Sequence, residues 1–178
     1  MGETRYSLGV VVEGSGDLWL LTKDRVGNFY LDEMFYGEFE HTIDRKGRVI
    51  IPAKFRQTLR AKEIETLFLT RGLDVCLLLL PEPEWRTLEV RLKEVSFTKA
   101  VGRTFNRLFF SGATEVRPDG LGRVLIPKNL KEFAQIKQDV VIVGISNRIE
   151  IWAKDKWQEY YDSSRQRYEQ AAEDVMPE

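Results

Sequence analysis

From residue 38 the chain alternates: Phe39, His41 and Ile43 fall on one side of an extended segment, and Glu38, Glu40 and Thr42 on the other. This period of two predicts a strand with one face on a core. The quartet Asp44-Arg45-Lys46-Gly47 interrupts it as a turn, because Asp accepts hydrogen bonds from its own following backbone and Gly takes positive φ at no steric cost. A second strand, RVIIP, ends at Pro52, and AKFRQTLR follows as a short helix whose first turn tolerates the missing proline N–H. ETLFLT and VCLLLL then supply a second strand pair joined by the turn-like RGLD. Beyond Pro81 the period changes. Trp85, Leu88, Leu92 and Val95 recur at helical spacing, so the segment reaching Phe110 is predicted to be a helical connector.

The same order of elements then returns. Residues 117–134 (RPDGLGRVLIPKNLKEFA) repeat residues 42–59 (TIDRKGRVIIPAKFRQTL), with Asp, Gly, Arg, Val, Ile and Pro recurring 75 positions on, from Asp44 to Asp119. DVVIVG and RIEIW, joined by ISN, supply the later strand pair of this copy. The stretch ending at Trp157 aligns with that ending at Trp85 at a shift of 72, which places Gly72 opposite Gly144. Trp157, Tyr160, Ser164 and Tyr168 predict a last amphipathic helix. The expected organisation is α+β and β-rich: a first unit over 34–82, a connector over 83–110, a second unit over 111–153, and a helix and tail over 154–178. Residues 1–33 have no counterpart in the second copy. VVV and LWLL suit short strands there, but translation is expected to begin at Met34.

Composition narrows the function classes. At 43% hydrophobic and 31% charged, the 178 residues describe an ordinary globular chain with enough apolar surface for a core. The longest apolar run is VCLLLL, far short of the roughly 20 residues of a membrane span. The N-terminus lacks a basic region followed by a clean apolar stretch, so a cytoplasmic protein is expected. The single cysteine, Cys76, cannot build a disulfide framework or a thiolate metal site within one chain. Net charge is −1, so any affinity for nucleic acid depends on where charges sit. Residues 1–33 carry 3 basic and 6 acidic side chains and residues 153–178 carry 4 and 7, which leaves 20 against 15 in the middle.

The catalytic inventory is poor. His41, the only histidine, alternates with Phe39 and Ile43 as a partly buried structural residue would. There is no nucleophile triad, phosphate-binding G-x-x-x-x-G-K-[ST] loop, dinucleotide fingerprint or H-E-x-x-H pair. Glu82 and Glu84 sit at a helix start, where the dipole explains them. No enzyme activity, cofactor, metal or small-molecule substrate is expected. The basic residues are more informative. Arg45, Lys46, Arg48, Lys54 and Arg56 cluster around the first turn, and Arg123 holds the place of Arg48 in the second copy. Two readings of Arg48 and Arg123 are open: a guanidinium fork projecting to phosphate or to the O6/N7 edge of guanine, or a salt bridge back to Asp44 and Asp119 that locks the turn. Lys99, Arg103 and Arg107 recur on the connector as an exposed helical face.

The doubled D-x-x-G-R-V-x-I-P, the opening MFYGEFEHTID and the P-E-P-E-W segment resemble the MraZ family, whose halves are similar to the AbrB/SpoVT swapped-hairpin module. The resemblance spans residues 34–165 and implies two such units joined as an intrachain pseudo-dimeric β-barrel. It implies a nucleoid-associated regulator that binds double-stranded DNA repeats in the promoter of its own division and cell-wall operon and forms ring-shaped homo-oligomers. The family's signature falls on Asp44, Gly47, Arg48 and Pro52, and again on Asp119, Gly122, Arg123 and Pro127. The first turn is basic, whereas the second has Gly120 and Leu121 in place of Arg45 and Lys46, so equal contributions are not implied. The alternative is an AbrB-like antitoxin that binds DNA and a toxin partner.

Overall fold

A computed structural model describes residues 8–10, 20–23, 29–31, 34–95 and 98–175. The chain divides into two units, Met1–Met34 and Phe35–Glu178. In the first, β1 (Leu8–Val10), β2 (Leu20–Lys23) and β3 (Phe29–Leu31) form an antiparallel sheet in chain order. Of the stretches VVV and LWLL, Val11, Val12, Leu18 and Trp19 lie outside the described residues.

The second unit is mixed α+β, and its described strand pairs are all antiparallel. The first copy supplies β4 (Phe35–Thr42), β5 (Arg48–Ile50), α1 (Ala53–Ala61), β6 (Leu67–Arg71), β7 (Leu77–Pro81) and α2 (Glu82–Lys93). After α3 (Ala100–Gly112), the second copy supplies β8 (Thr114–Val116), β9 (Arg123–Leu125), α4 (Lys128–Phe133), β10 (Asp139–Ser146), β11 (Arg148–Ala153) and α5 (Lys154–Arg165), followed by α6 (Tyr168–Val175).

Neither copy closes a sheet by itself. The six-stranded sheet has the order β4-β10-β11-β7-β6-β8, so each copy's first strand pairs with the other copy's hairpin. Reading that order from either end gives the same series of equivalent strands. At its centre Glu150 pairs with Leu78, its own counterpart 72 residues earlier. In the separate β5-β9 ribbon Val49 pairs with Val124, its counterpart 75 residues on. An approximate two-fold therefore passes through both pairs. The register corrects one alignment: Gly144 faces Ile149 as Arg71 faces Leu77, so Arg71, not Gly72, is the counterpart of Gly144. A longer first hairpin loop, with Asp74 and Val75 at positive φ, accounts for the offset.

One apolar core joins the copies. Phe55 is fully buried against Phe35 and Phe39 in edge-to-face contacts of 5.5 and 5.1 Å, and Val49, Leu67 and Leu79 share the cluster with Val124, Leu130, Val140 and Ile151. A two-stranded hairpin is marginal alone, whereas the shared sheet gives both hairpins a common buried face. Half-buried His41 keeps to the inward side of β4 with Phe39, and burial lowers its pKa.

The predicted connector is two helices rather than one. Val95 and Thr98, both β-branched and weak helix formers, lie between α2 and α3. Phe68, Trp85, Phe109 and Phe105 stack in series at 4.8, 5.6 and 5.5 Å, which fastens both helices against β6. Each such pair contributes about 0.5–1.5 kcal/mol beyond area burial. Phe109 is thus core, at 6% exposure, whereas Phe105, Tyr160 and Tyr168 are exposed. The tail is likewise split, between Arg165 and Tyr168. No helix among the described residues is long and apolar enough to cross a membrane.

Candidate nucleic-acid interface

Each signature turn is built by its aspartate. Asp44 Oδ1 accepts the backbone N–H groups of Lys46 (2.9 Å) and Arg48 (3.0 Å), while the Gly47 N–H donates to the Asp44 carbonyl (2.9 Å). Asp119 repeats this with Leu121 and Arg123, each at 3.0 Å, and Gly122 (2.7 Å). Closing so tight a turn needs left-handed backbone, and Gly47 and Gly122 supply it at φ 80° and 77°. The turns are then locked across the two-fold, since Ile126 N–H donates to the Gly47 carbonyl and Ile51 N–H to that of Gly122, both at 2.9 Å.

The two arginines face each other in this frame. Arg48 donates through Nε (2.9 Å) and NH2 (2.8 Å) to Asp44 Oδ2, and Arg123 through Nε (2.9 Å) and NH2 (2.7 Å) to Asp119 Oδ2. Longer contacts cross the axis, Arg48 NH1 to Asp119 at 3.6 Å and Arg123 NH1 to Asp44 at 3.9 Å. Two cations and two anions thus form a neutral ring. The Arg123 side-chain and backbone donors pull the Asp119 carboxyl down to about 2, and the same donors on Arg48, the backbone N–H first, lower that of Asp44. Asp119 in turn raises the pKa of Arg123. Of the two readings of these arginines, the intramolecular salt bridge is present in both copies.

The other predicted residues divide. Arg45 and Lys46 are exposed at the tip of the first turn. Arg56 is not a free surface cation: its Nε donates to the Ile51 carbonyl at 3.0 Å, and its side chain lies over Gly122, where an added Cβ would come within 2.3 Å of Cδ. Lys54 is exposed on α1. Pro52 and Pro127 cap α1 and α4. Lys99, Arg103 and Arg107 lie on or beside α3, which packs on β6.

Three cations escaped the sequence reading. Lys128, Lys131 and Lys137, from α4 and the loop after it, line an open groove together with Arg45 and Lys46. Their juxtaposition follows from the cross-copy β5-β9 pairing, which starts α4 beside the first copy's turn. Within one copy only the spacing of α4 from its own turn is visible, and that carries no hint of it. No group of His, Cys, Asp or Glu among the described residues has the arrangement to hold a metal ion.

A family model described as "MraZ protein, putative antitoxin-like" matches the chain twice, over residues 34–108 and 109–176. The chain belongs to the MraZ family. It is 48% identical over 143 residues to the protein named Transcriptional regulator MraZ of Pelotomaculum thermopropionicum, which covers 80% of this chain and 96% of that one. The protein of the same name from Desulforamulus reducens is 47% identical over 143 residues, 80% of this chain and 98% of its own. That from Clostridium tetani is 49% identical over 140 residues, 79% and 95% respectively. Both family matches contain one complete Asp-to-Pro signature with its turn.

Proposed function

We propose that this chain is a sequence-specific DNA-binding regulator of transcription, not an enzyme, and that its two copies form a swapped-hairpin pseudo-dimer closed as a small β-barrel. In this reading it is cytoplasmic and nucleoid-associated, and acts on the promoter of its own division and cell-wall operon. The observation that carries it is the first turn: exposed Arg45 and Lys46 on a hairpin made rigid by Asp44 and Gly47, beside an Asp–Arg ring that cancels its own charge. A rigid cationic turn meets phosphates with little ordering cost.

Arg48 works from within the ring. Asp44 orients it, and NH1, which meets the Asp119 carboxylate at a loose 3.6 Å, has donor capacity left for a base edge or a phosphate. Arg123 does the same in the second copy, and Lys54 and Arg56 support the first. Exposed Val101, Phe105 and Leu108 on α3, with Tyr160, Tyr161 and Tyr168 on the tail helices, suit head-to-tail contacts that close into a ring and present the turns at regular spacing.

Fluorescence anisotropy on the DNA upstream of the chain's own gene tests the reading. Arg48→Ala should cost roughly 1–3 kcal/mol per site, and Arg123→Ala less, since its turn lacks the neighbouring cations. Unchanged affinity in a folded Arg48→Ala protein overturns the assignment.

A further inference from the structure

The near two-fold symmetry of the backbone is broken in charge. Five cationic side chains, Arg45, Lys46, Lys128, Lys131 and Lys137, line the groove beside the first turn, which encloses about 880 Å³. Its one carboxylate, Asp44, is already engaged by Arg48. Glu132 reaches Lys128 only at 3.7 Å, between side chains that are 90% and 66% exposed, an arrangement that solvent screens heavily. The positions related by the repeat hold Gly120, Leu121, Ala53, Arg56 and Glu65, the last because α4 is three residues shorter than α1 and Gln135 takes the place of Glu63 at the left-handed residue after the helix. Only one of these, Arg56, is a cation, and it is held by the Ile51 carbonyl. The second turn adds Arg117, which pairs with Glu115 at 3.2 Å.

We propose that this groove, shared by the first copy's turn and the second copy's α4, is the phosphate-gripping face of the protein, with Lys128, Lys131 and Lys137 holding the DNA backbone beside the turn. Each subunit then binds DNA through one dominant face although its fold is nearly two-fold. An open channel with cations on both walls suits an extended polyanion and not a compact ion. The inference rests on the DNA reading above and adds residues that the signature does not contain.

The test measures affinity against salt for a fluorescent duplex of the upstream region and for a scrambled duplex of equal length. Wild type is compared with Lys128→Gln/Lys131→Gln/Lys137→Gln and with the charge-preserving Lys→Arg triple. Each phosphate contact adds about 0.9 to the slope of log affinity on log salt. The Gln triple should lose about 2.7 of that slope, so that a fourfold salt dilution raises its affinity about 40-fold less than it raises that of wild type. The Arg triple should keep the slope. Should the Gln triple fail to fold, the exposed pair Lys128→Gln/Lys137→Gln should lose about 1.8. A wild-type slope in the folded Gln variants overturns this inference and leaves the DNA reading standing, whereas no binding by wild type to either duplex sinks both.

Discussion

Alanine at Gly47 and at Gly122 tests whether the two turns are mechanically unequal. Both glycines sit at nearly the same left-handed φ, 80° and 77°, so each substitution carries the same backbone penalty of about 1–2 kcal/mol. Their surroundings differ. A Cβ on Gly47 would rest at 3.6 Å from the Ile126 carbonyl oxygen and the Leu125 side chain, which is ordinary contact. On Gly122 it would stand 2.3 Å from Arg56 Cδ and 2.9 Å from Nε, so Arg56 must leave. Its departure breaks the 3.0 Å hydrogen bond to the carbonyl of buried Ile51, worth about 1 kcal/mol or somewhat more for a charged donor. Gly122→Ala should therefore lose about 2–3 kcal/mol and Gly47→Ala about 1–2. Urea unfolding of both variants measures the difference. Equal losses would show that Arg56 does not clamp the second turn. A second variant isolates the clamp: in an Arg56→Ala background the two alanines should cost the same.

Asp119→Asn should lower stability at neutral pH. With the folded carboxyl held at about 2 against an ordinary 3.8, the pairing stabilises the fold above pH 4, and that stabilisation is lost as pH falls towards 2. The gap between variant and wild-type urea midpoints should thus close from pH 7 to pH 2, and a constant gap contradicts the assignment. Gly144→Ala should destabilise by about 1–3 kcal/mol, because its Cβ would stand 2.5 Å from the Phe35 backbone and push β4 off β10. Gly120→Ala, with nothing within 4 Å of its Cβ, serves as the control, and thermal melts that do not separate the two would refute the steric argument.

Local chemistry was legible in the chain, and non-local pairing was not. The Asp-x-x-Gly turns, the alternation around Phe39 and the prolines at helix starts each depend on neighbours in sequence, and they occur where the pattern placed them. The repeat announced two similar units. It could not announce that β4 pairs with β10 and β8 with β6, since register between copies is set by a shared buried face and not by any one strand. The same crossing hid the approach of Lys128, Lys131 and Lys137 to the first turn. Nor could the repeat announce that Arg56 lies over Gly122 of the other copy and donates to the Ile51 carbonyl.

Footprinting the purified protein on the DNA upstream of its own gene is the most direct test. A sequence-specific regulator with rigid basic turns at fixed spacing should protect a set of short, regularly spaced repeats at moderate salt, and Arg48→Ala should abolish protection at all of them together. Uniform protection along the fragment, or none at protein concentrations well above the micromolar range, would contradict a DNA-reading function for this fold.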